Sequence, residues 1–102
     1  MSTPVVTDNP GAKRFEAHVD GTLAGFAEYQ LTDQLVVFTH TEVEPAFEGQ
    51  GIGSAIARYA LDGLVADGTR KALPVCPFIL EYIQRHPQYL AITYGARQPR
   101  AD

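Results

Sequence analysis

Val43-Glu44-Pro45-Ala46-Phe47-Glu48-Gly49-Gln50-Gly51-Ile52-Gly53-Ser54 is the stretch from which the rest of the chain is read. It joins a segment rich in β-branched residues, Leu35 to Val43, to apolar residues recurring at helical spacing. Three glycines spaced two apart stand at the entrance of that helix. The first N–H groups of a helix have no internal partner, and the positive end of the helix dipole adds to their pull on anions. Glycines, having no Cβ, let a phosphate touch the main chain. The stretch therefore predicts a site for a phosphate-bearing ligand, a cofactor. Close packing of a helix on a sheet is the other use of such glycines, and it stays open.

Two familiar phosphate-binding patterns do not fit. The dinucleotide fingerprint needs a glycine where Ser54 stands and an acid at the end of the next strand, and Lys71 to Cys76 has no acid. A P-loop needs Gly-Lys-Ser/Thr, whereas Gly53-Ser54-Ala55 has no lysine.

Upstream, residues 1 to 12 are polar, interrupted by Pro4 and Pro10, and predict a flexible N-terminal arm. From Arg14 the pattern alternates, with Phe15, Ala17 and Val19 on one face of a strand and Glu16, His18 and Asp20 on the other. Asp20-Gly21 suits a tight hairpin, and the return strand runs from Thr22 to Leu31. Gly25 inside it predicts a bulge or a close backbone approach. Thr32-Asp33-Gln34 turns the chain into the strand Leu35 to Val43.

Downstream, Ile52, Ile56, Tyr59, Ala60 and Gly63 recur on one helix face, widened by Leu61, Leu64 and Val65, and Asp67-Gly68 ends the helix. Arg70 to Cys76 is a short strand, parallel to the one before the helix because a helix lies between them. Pro77 opens a second helix, Phe78 to about His86, which Pro87 stops. Tyr89 to Tyr94 predicts a last strand or an extended tail, and residues 96 to 102 a disordered one. The order β-β-β-α-β-α is an α+β fold: a mixed sheet with an antiparallel meander, one parallel crossover and two main helices. One domain spans residues 13 to 95.

The bulk properties set bounds. At 102 residues there is room for one core. With 45% hydrophobic and 20% charged residues the composition is that of a globular protein. A net charge of −4 argues against broad nucleic-acid or anionic-membrane binding and suits an amine-bearing substrate somewhat better. Neither a signal peptide nor a membrane-spanning stretch is evident. A single cysteine forms no internal disulfide, so a cytoplasmic protein is expected, as a monomer or weak dimer. His18, His40 and His86 show no metal-ligand spacing, so no metal is expected.

Val43 to Ser54 resembles the acyl-CoA-binding motif of the GNAT-type N-acetyltransferases, Arg/Gln-x-x-Gly-x-Gly/Ala. Gly51 and Gly53 match, and Glu48 stands where the family has Arg or Gln. An acid beside a diphosphate is unfavourable, so Glu48 is expected to face solvent. Further along, Pro74-Val75-Cys76-Pro77-Phe78-Ile79, Tyr82-Ile83 and Arg85-His86-Pro87-Gln88-Tyr89 are similar to the small YjdJ-type subgroup, minimal domains with a Cys-Pro-Phe turn and an Arg-His-Pro helix end. The resemblance covers residues 14 to 94. It implies a minimal GNAT-like fold that binds acetyl-CoA and transfers acetyl to a primary amine of an unidentified acceptor. A non-catalytic acyl-CoA-binding or sensor module is the alternative, and an interaction domain that keeps only the fold is a third.

The same resemblance implies that the strands ending at Val43 and near Cys76 splay apart and hold acyl-CoA in the gap. Pantetheine amides then pair with backbone near Glu42 and Val43. The diphosphate lies on the amides of Gly49, Gln50, Gly51, Ile52, Gly53 and Ser54, and Arg85 is placed to meet a cofactor phosphate. Acetyl transfer needs a base for the ammonium, donors for the oxyanion and an acid for the leaving thiolate. His40 and Glu42, two apart on one strand face, are both candidates for the base, and surface or core roles remain open for each. Cys76 precedes a proline-started helix, a position that lowers a thiol's pKa. In the subgroup this cysteine is a suspected active-site residue, neighbouring the histidine of the preceding parallel strand. An acyl-cysteine intermediate, a general acid and a small buried hydrophobe all stay open for it. Tyr82 is the fallback donor.

Overall fold

A computed structural model describes residues 3–95. Five strands form one sheet in the order β1-β2-β3-β4-β5: β1 Val5–Asn9, β2 Arg14–Val19, β3 Thr22–Leu31, β4 Leu35–Val43 and β5 Lys71–Pro74. The first four are antiparallel neighbours and β5 runs parallel to β4. Helix α1, Ile52–Asp67, makes the crossover between them, and α2, Pro77–Arg85, follows β5. The expected mixed sheet with its meander, parallel crossover and two main helices is the fold observed.

The local chemistry acts as the sequence predicts at several corners. Asp20 (φ 50°) and Gly21 (φ 81°) both sit in the left-handed region, as a two-residue hairpin between right-twisted strands requires. Gly68 (φ 73°) ends α1, its N–H donating to the Leu64 carbonyl at 2.9 Å. Gly25 serves both expected purposes. The β2–β3 pairing skips Ala24, its neighbour, and a Cβ on Gly25 would lie 2.8 Å from the Glu42 carbonyl oxygen.

Three expectations are corrected. The segment expected to be a flexible arm contains β1, paired along its length with β2 from Val5↔His18 to Asn9↔Arg14. Ladder bonds need only main chain, Val6 packs on the core, and the Tyr29 hydroxyl donates to Asp8 at 2.6 Å. Residues 89 to 94 are not a strand: Pro87–Ile92 is a 3-10 helix, followed by one parallel bridge, Ala72↔Thr93. On α1, Tyr59, Gly63 and Val65 lie outside the buried face, which consists of Ile52, Gly53, Ile56, Ala57, Ala60, Leu61 and Leu64. The expected tail, residues 96 to 102, lies outside the described residues.

Both helices contribute to the same side of the sheet. Phe38 and Val36 of β4 cluster with Ala57, Ala60, Leu61 and Leu64 of α1 and with Ile79 and Ile83 of α2. A second cluster joins Ala17, Ala24 and Ala27 of the sheet to Ile52 and Ile56 at the start of α1. That cluster anchors the glycine turn against the meander.

Candidate active site

β4 carries the feature that positions everything else. Phe38 pairs with Tyr29 and His40 with Glu28, so Thr39 is an extra residue, a β-bulge. A bulge inverts the alternation of faces along a strand. Before it, Val36 and Phe38 point to the core; after it, Thr41 and Val43 are the half-buried residues and His40 and Glu42 are exposed. The bulge also coincides with the end of the parallel ladder, since β5 pairs with β4 only from Leu35↔Lys71 to Phe38↔Pro74. From Thr39 to Val43 no strand among the described residues covers that edge. The Glu44 N–H donates to the Ala24 carbonyl at 2.8 Å. By alternation Glu42 turns its main-chain groups toward β3, and Thr41 and Val43 turn theirs toward the uncovered edge. Val43 thus turns its main-chain groups to an edge that no strand among the described residues covers, whereas the Glu42 main chain is committed to β3.

At the other wall, the chain leaves β4 through a 3-10 turn, Pro45–Phe47, and reaches α1 through Gly49 (φ 81°) and Gly51 (φ 76°). Only glycine adopts these angles without strain. The first bond of α1 runs from the Ala55 N–H to the Gly51 carbonyl at 3.0 Å, so the N–H groups of Ile52, Gly53 and Ser54 find no acceptor within the helix. No side chain caps this end. These amides open on a pocket of about 220 Å3, lined by Val43, Gly49, Gly51, Ile52, Gly53, Ser54, Phe47, Glu48 and Phe78. Gln50 is exposed and is not part of the lining; its N–H donates to the Phe47 carbonyl at 3.3 Å. Glu48 is exposed at the rim.

Phe78 is a participant for which the sequence reading assigns no role. A Cβ on Gly53 would lie 2.7 Å from its ring, so the third glycine of the turn leaves room for that ring. The available signal was an aromatic in the first turn of a helix facing the glycine turn across the crossover. Phe78 and Ser54 also line an adjoining pocket of about 140 Å3 with Glu81, Tyr82, Arg85 and His86. There Tyr82 stacks on His86, ring centres 4.0 Å apart, and the His86 Nδ1–H donates to the Tyr82 carbonyl at 2.8 Å. Burial raises the Tyr82 pKa, partly offset by Arg58. Arg85 Nη2 lies 2.6 Å from Glu81 Oε1, one turn back on α2. Arg85 therefore sits beside the glycine-turn pocket and not in it.

Cys76 stands at the start of α2, only 3% exposed. Its N–H donates to the Phe38 carbonyl at 2.8 Å, which continues the β5 contact past Pro74. Its thiol donates to Thr41 Oγ1 at 3.2 Å. The expected histidine neighbour is absent from this arrangement. His40 faces the other side of the sheet, where its Nε2 lies 3.8 Å from Glu42 Oε1 and its ring meets Phe26 edge-on at 6.3 Å. His40 and Glu42 do share a face as two-residue spacing predicts, but the bulge makes it the face opposite Cys76. Among the described residues no group of His, Cys, Asp and Glu is placed to hold a metal ion.

Residues 14–92 match the family model of the GCN5-related N-acetyl-transferases. The chain belongs to that family. A chicken (Gallus gallus) relative, Protein NATD1, is 37% identical over 59 residues, which cover 56% of this chain and 53% of the relative. The chain thus spans about half the length of the curated relatives it matches. A GCN5-like protein from Staphylococcus aureus superposes with a TM-score of 0.69 at 16% identity, covering 99% of this chain and 98% of that one. The ribosomal-protein-S18-alanine N-acetyltransferase of Escherichia coli superposes with a TM-score of 0.61 at 19% identity, over 72% of this chain and 50% of that one. At such identities the two structures establish the fold. No helix of the described residues is long and apolar enough to cross a membrane.

Proposed function

We propose that this domain is an acetyl-CoA-dependent N-acetyltransferase acting on a primary amine. The observation that carries the reading is the convergence of two unsatisfied backbone surfaces. The uncapped first turn of α1 and Val43, at the end of the uncovered β4 edge, line one pocket. Orphaned amides at a helix start suit a diphosphate, and an uncovered strand edge suits the amide groups of a pantetheine arm. Acetyl-CoA supplies the activated acyl group.

The amides of Gly49, Gly51, Ile52, Gly53 and Ser54 hold the diphosphate, with Gln50 shaping the turn from outside. Thr41 and Val43 hold the arm by their main-chain groups. The amine approaches from the sheet face opposite the helices, where His40 and Glu42 stand above the gap. One of them takes the ammonium proton, and the neutral nitrogen then attacks the acyl carbon. His40 is the better suited of the two, as an imidazole that can take up and release a proton, with Glu42 3.8 Å away to orient it. The departing thiolate needs a proton from the helix side, where the Cys76 thiol and then the Tyr82 hydroxyl are the donors at hand. In the resting arrangement the Cys76 proton is donated to Thr41 Oγ1 at 3.2 Å, so its transfer to the thiolate requires the thiol to turn from that partner. An acyl-cysteine intermediate is less well supported, because the thiol is shielded and no base adjoins it. Arg85 and His86, beside Ser54, meet the nucleotide end of the ligand.

The same shielding of Cys76 is what favours the second reading, a module that binds acyl-CoA without transfer. Calorimetric and thermal-shift titration with acetyl-CoA, CoA and desulfo-CoA, followed by an amine panel, separates the readings. Binding with transfer supports the enzyme, and binding without transfer to any amine supports the module. A melting temperature unmoved by millimolar acetyl-CoA overturns both, since a ligand of the native state must raise stability.

A further inference from the structure

A second groove lies toward the other end of α1, about 15 Å along the helix from the glycine turn at 1.5 Å per residue. Its volume, about 570 Å3, exceeds that of the glycine-turn pocket. Three aromatic rings line it: Phe15 lies 6.3 Å from Phe38 in a stacked arrangement and 6.1 Å from Tyr59 edge-on. Two carboxylates from different elements join them, Asp8 of β1 and Asp62 of α1. Each is held by a buried phenol, Tyr29 donating to Asp8 Oδ1 and Tyr89 to Asp62 Oδ1, both at 2.6 Å. Among the described residues no salt bridge reaches either carboxylate. The pairing with tyrosine fixes one oxygen of each; Arg58, one turn before Asp62, acts on Tyr82 and Tyr89 beside it but forms no salt bridge with the carboxylate.

Gly63 is the independent sign that the space is kept open. Helix interiors disfavour glycine, and nothing in the packing calls for it here, because a Cβ at that position would meet no atom within 4 Å. Gly63 lines the groove, and any larger residue there would project into it.

Aromatic rings combined with carboxylates that take part in no salt bridge are complementary to one class of small molecule, a cation whose charge is spread over an apolar skeleton. We propose that this groove is a second ligand site, for an alkyl- or arylalkylammonium ion, separate from the gap that takes acyl-CoA. The proposal does not rest on acetyl transfer. A quaternary ammonium, which has no proton to lose and cannot be acetylated, binds there as well as a primary amine does.

The test follows amide chemical shifts of the full chain on titration with benzyltrimethylammonium, with benzyl alcohol as the uncharged comparison. Saturable shifts centred on Phe15, Tyr59 and Gly63, stronger for the cation, are expected. Gly63→Leu fills the groove with a good helix former and weakens binding by about tenfold or more, as does the Asp8→Asn, Asp62→Asn pair, which keeps an acceptor for each tyrosine. Melting temperatures of these variants serve as the check that the fold is intact. The proposal is overturned by absence of saturable shifts at millimolar cation, by shifts that map to the glycine turn, or by equal binding to folded Gly63→Leu. Loss of acetyl-CoA binding, measured separately, bears on the transferase reading alone.

Discussion

Replacing Gly25 by alanine tests how the meander and the ligand gap are joined. A Cβ there would come within 2.8 Å of the Glu42 carbonyl oxygen, 3.0 Å of Ile52 Cγ2 and 3.4 Å of Val43 Cα. The first of these is main chain in a paired strand and cannot rotate away. Gly25 does not have a positive φ, so the cost is steric and not conformational. Relief therefore requires β4 or the first turn of α1 to move by a few tenths of an ångström. Overpacking of this kind costs about 1–3 kcal/mol, read as a fall of about 5–20 °C in melting temperature for a domain of this size. Both movable parts border the proposed acyl-CoA gap, so affinity for acetyl-CoA is expected to drop even under conditions where the variant is fully folded. Gly63→Ala is the matched comparison: the same added methyl meets nothing, and it is expected to stabilise by about 0.5–1 kcal/mol. Thermal melts and calorimetry on the two variants decide the matter. Equal melting temperatures for wild type and Gly25→Ala would refute the close-approach reasoning, and a destabilised variant with unchanged affinity would sever the link to the gap.

Further expectations concern single groups. Cys76→Ala is expected to reduce acetyl transfer strongly while leaving acetyl-CoA binding intact; unchanged turnover removes the thiol from the chemistry. Gly53→Ala displaces the flexible Phe78 ring from its seat at 2.7 Å, so it should weaken acetyl-CoA binding with little change in melting temperature, and unaltered affinity would deny that ring a place in the site. The Tyr29 and Tyr89 phenols are both pushed up to about 12 from 10.0, chiefly by burial and then by the carboxylate each one contacts. A raised native pKa means their contribution to stability is complete below pH 10 and is lost as pH climbs through 10 toward 12. Melting curves should therefore fall over that range in the wild type and fall less in the Tyr29→Phe, Tyr89→Phe pair; parallel curves would contradict this.

Much of the architecture was legible because turn chemistry and periodicity agreed. Asp20-Gly21 names its hairpin, Gly68 and Pro77 bracket β5, and the glycines from 49 to 53 mark the mouth of α1. What was hidden depends on partners distant in sequence. Val5–Asn9 lacks an alternating pattern and is a strand because β2 offers it an edge. The bulge at Thr39 has no signature in its own residues, since it arises from pairing with Glu28 and Tyr29 on β3. Two-residue spacing rightly put His40 beside Glu42, but without the bulge it could not tell which face that was. The Cys76–Thr41 contact was missed for the same reason.

The additional residue in β4 also dictates how this domain should be compared with its kin. Positions up to Phe38 are properly counted forward from the Thr32 turn, and positions from His40 onward are counted backward from Gly49. A relative that lacks one amino acid between these landmarks would swap inside for outside in everything that follows. An aligner that closes such a gap at the wrong column would equate Thr41 with Glu42 and give one residue's duties to the other.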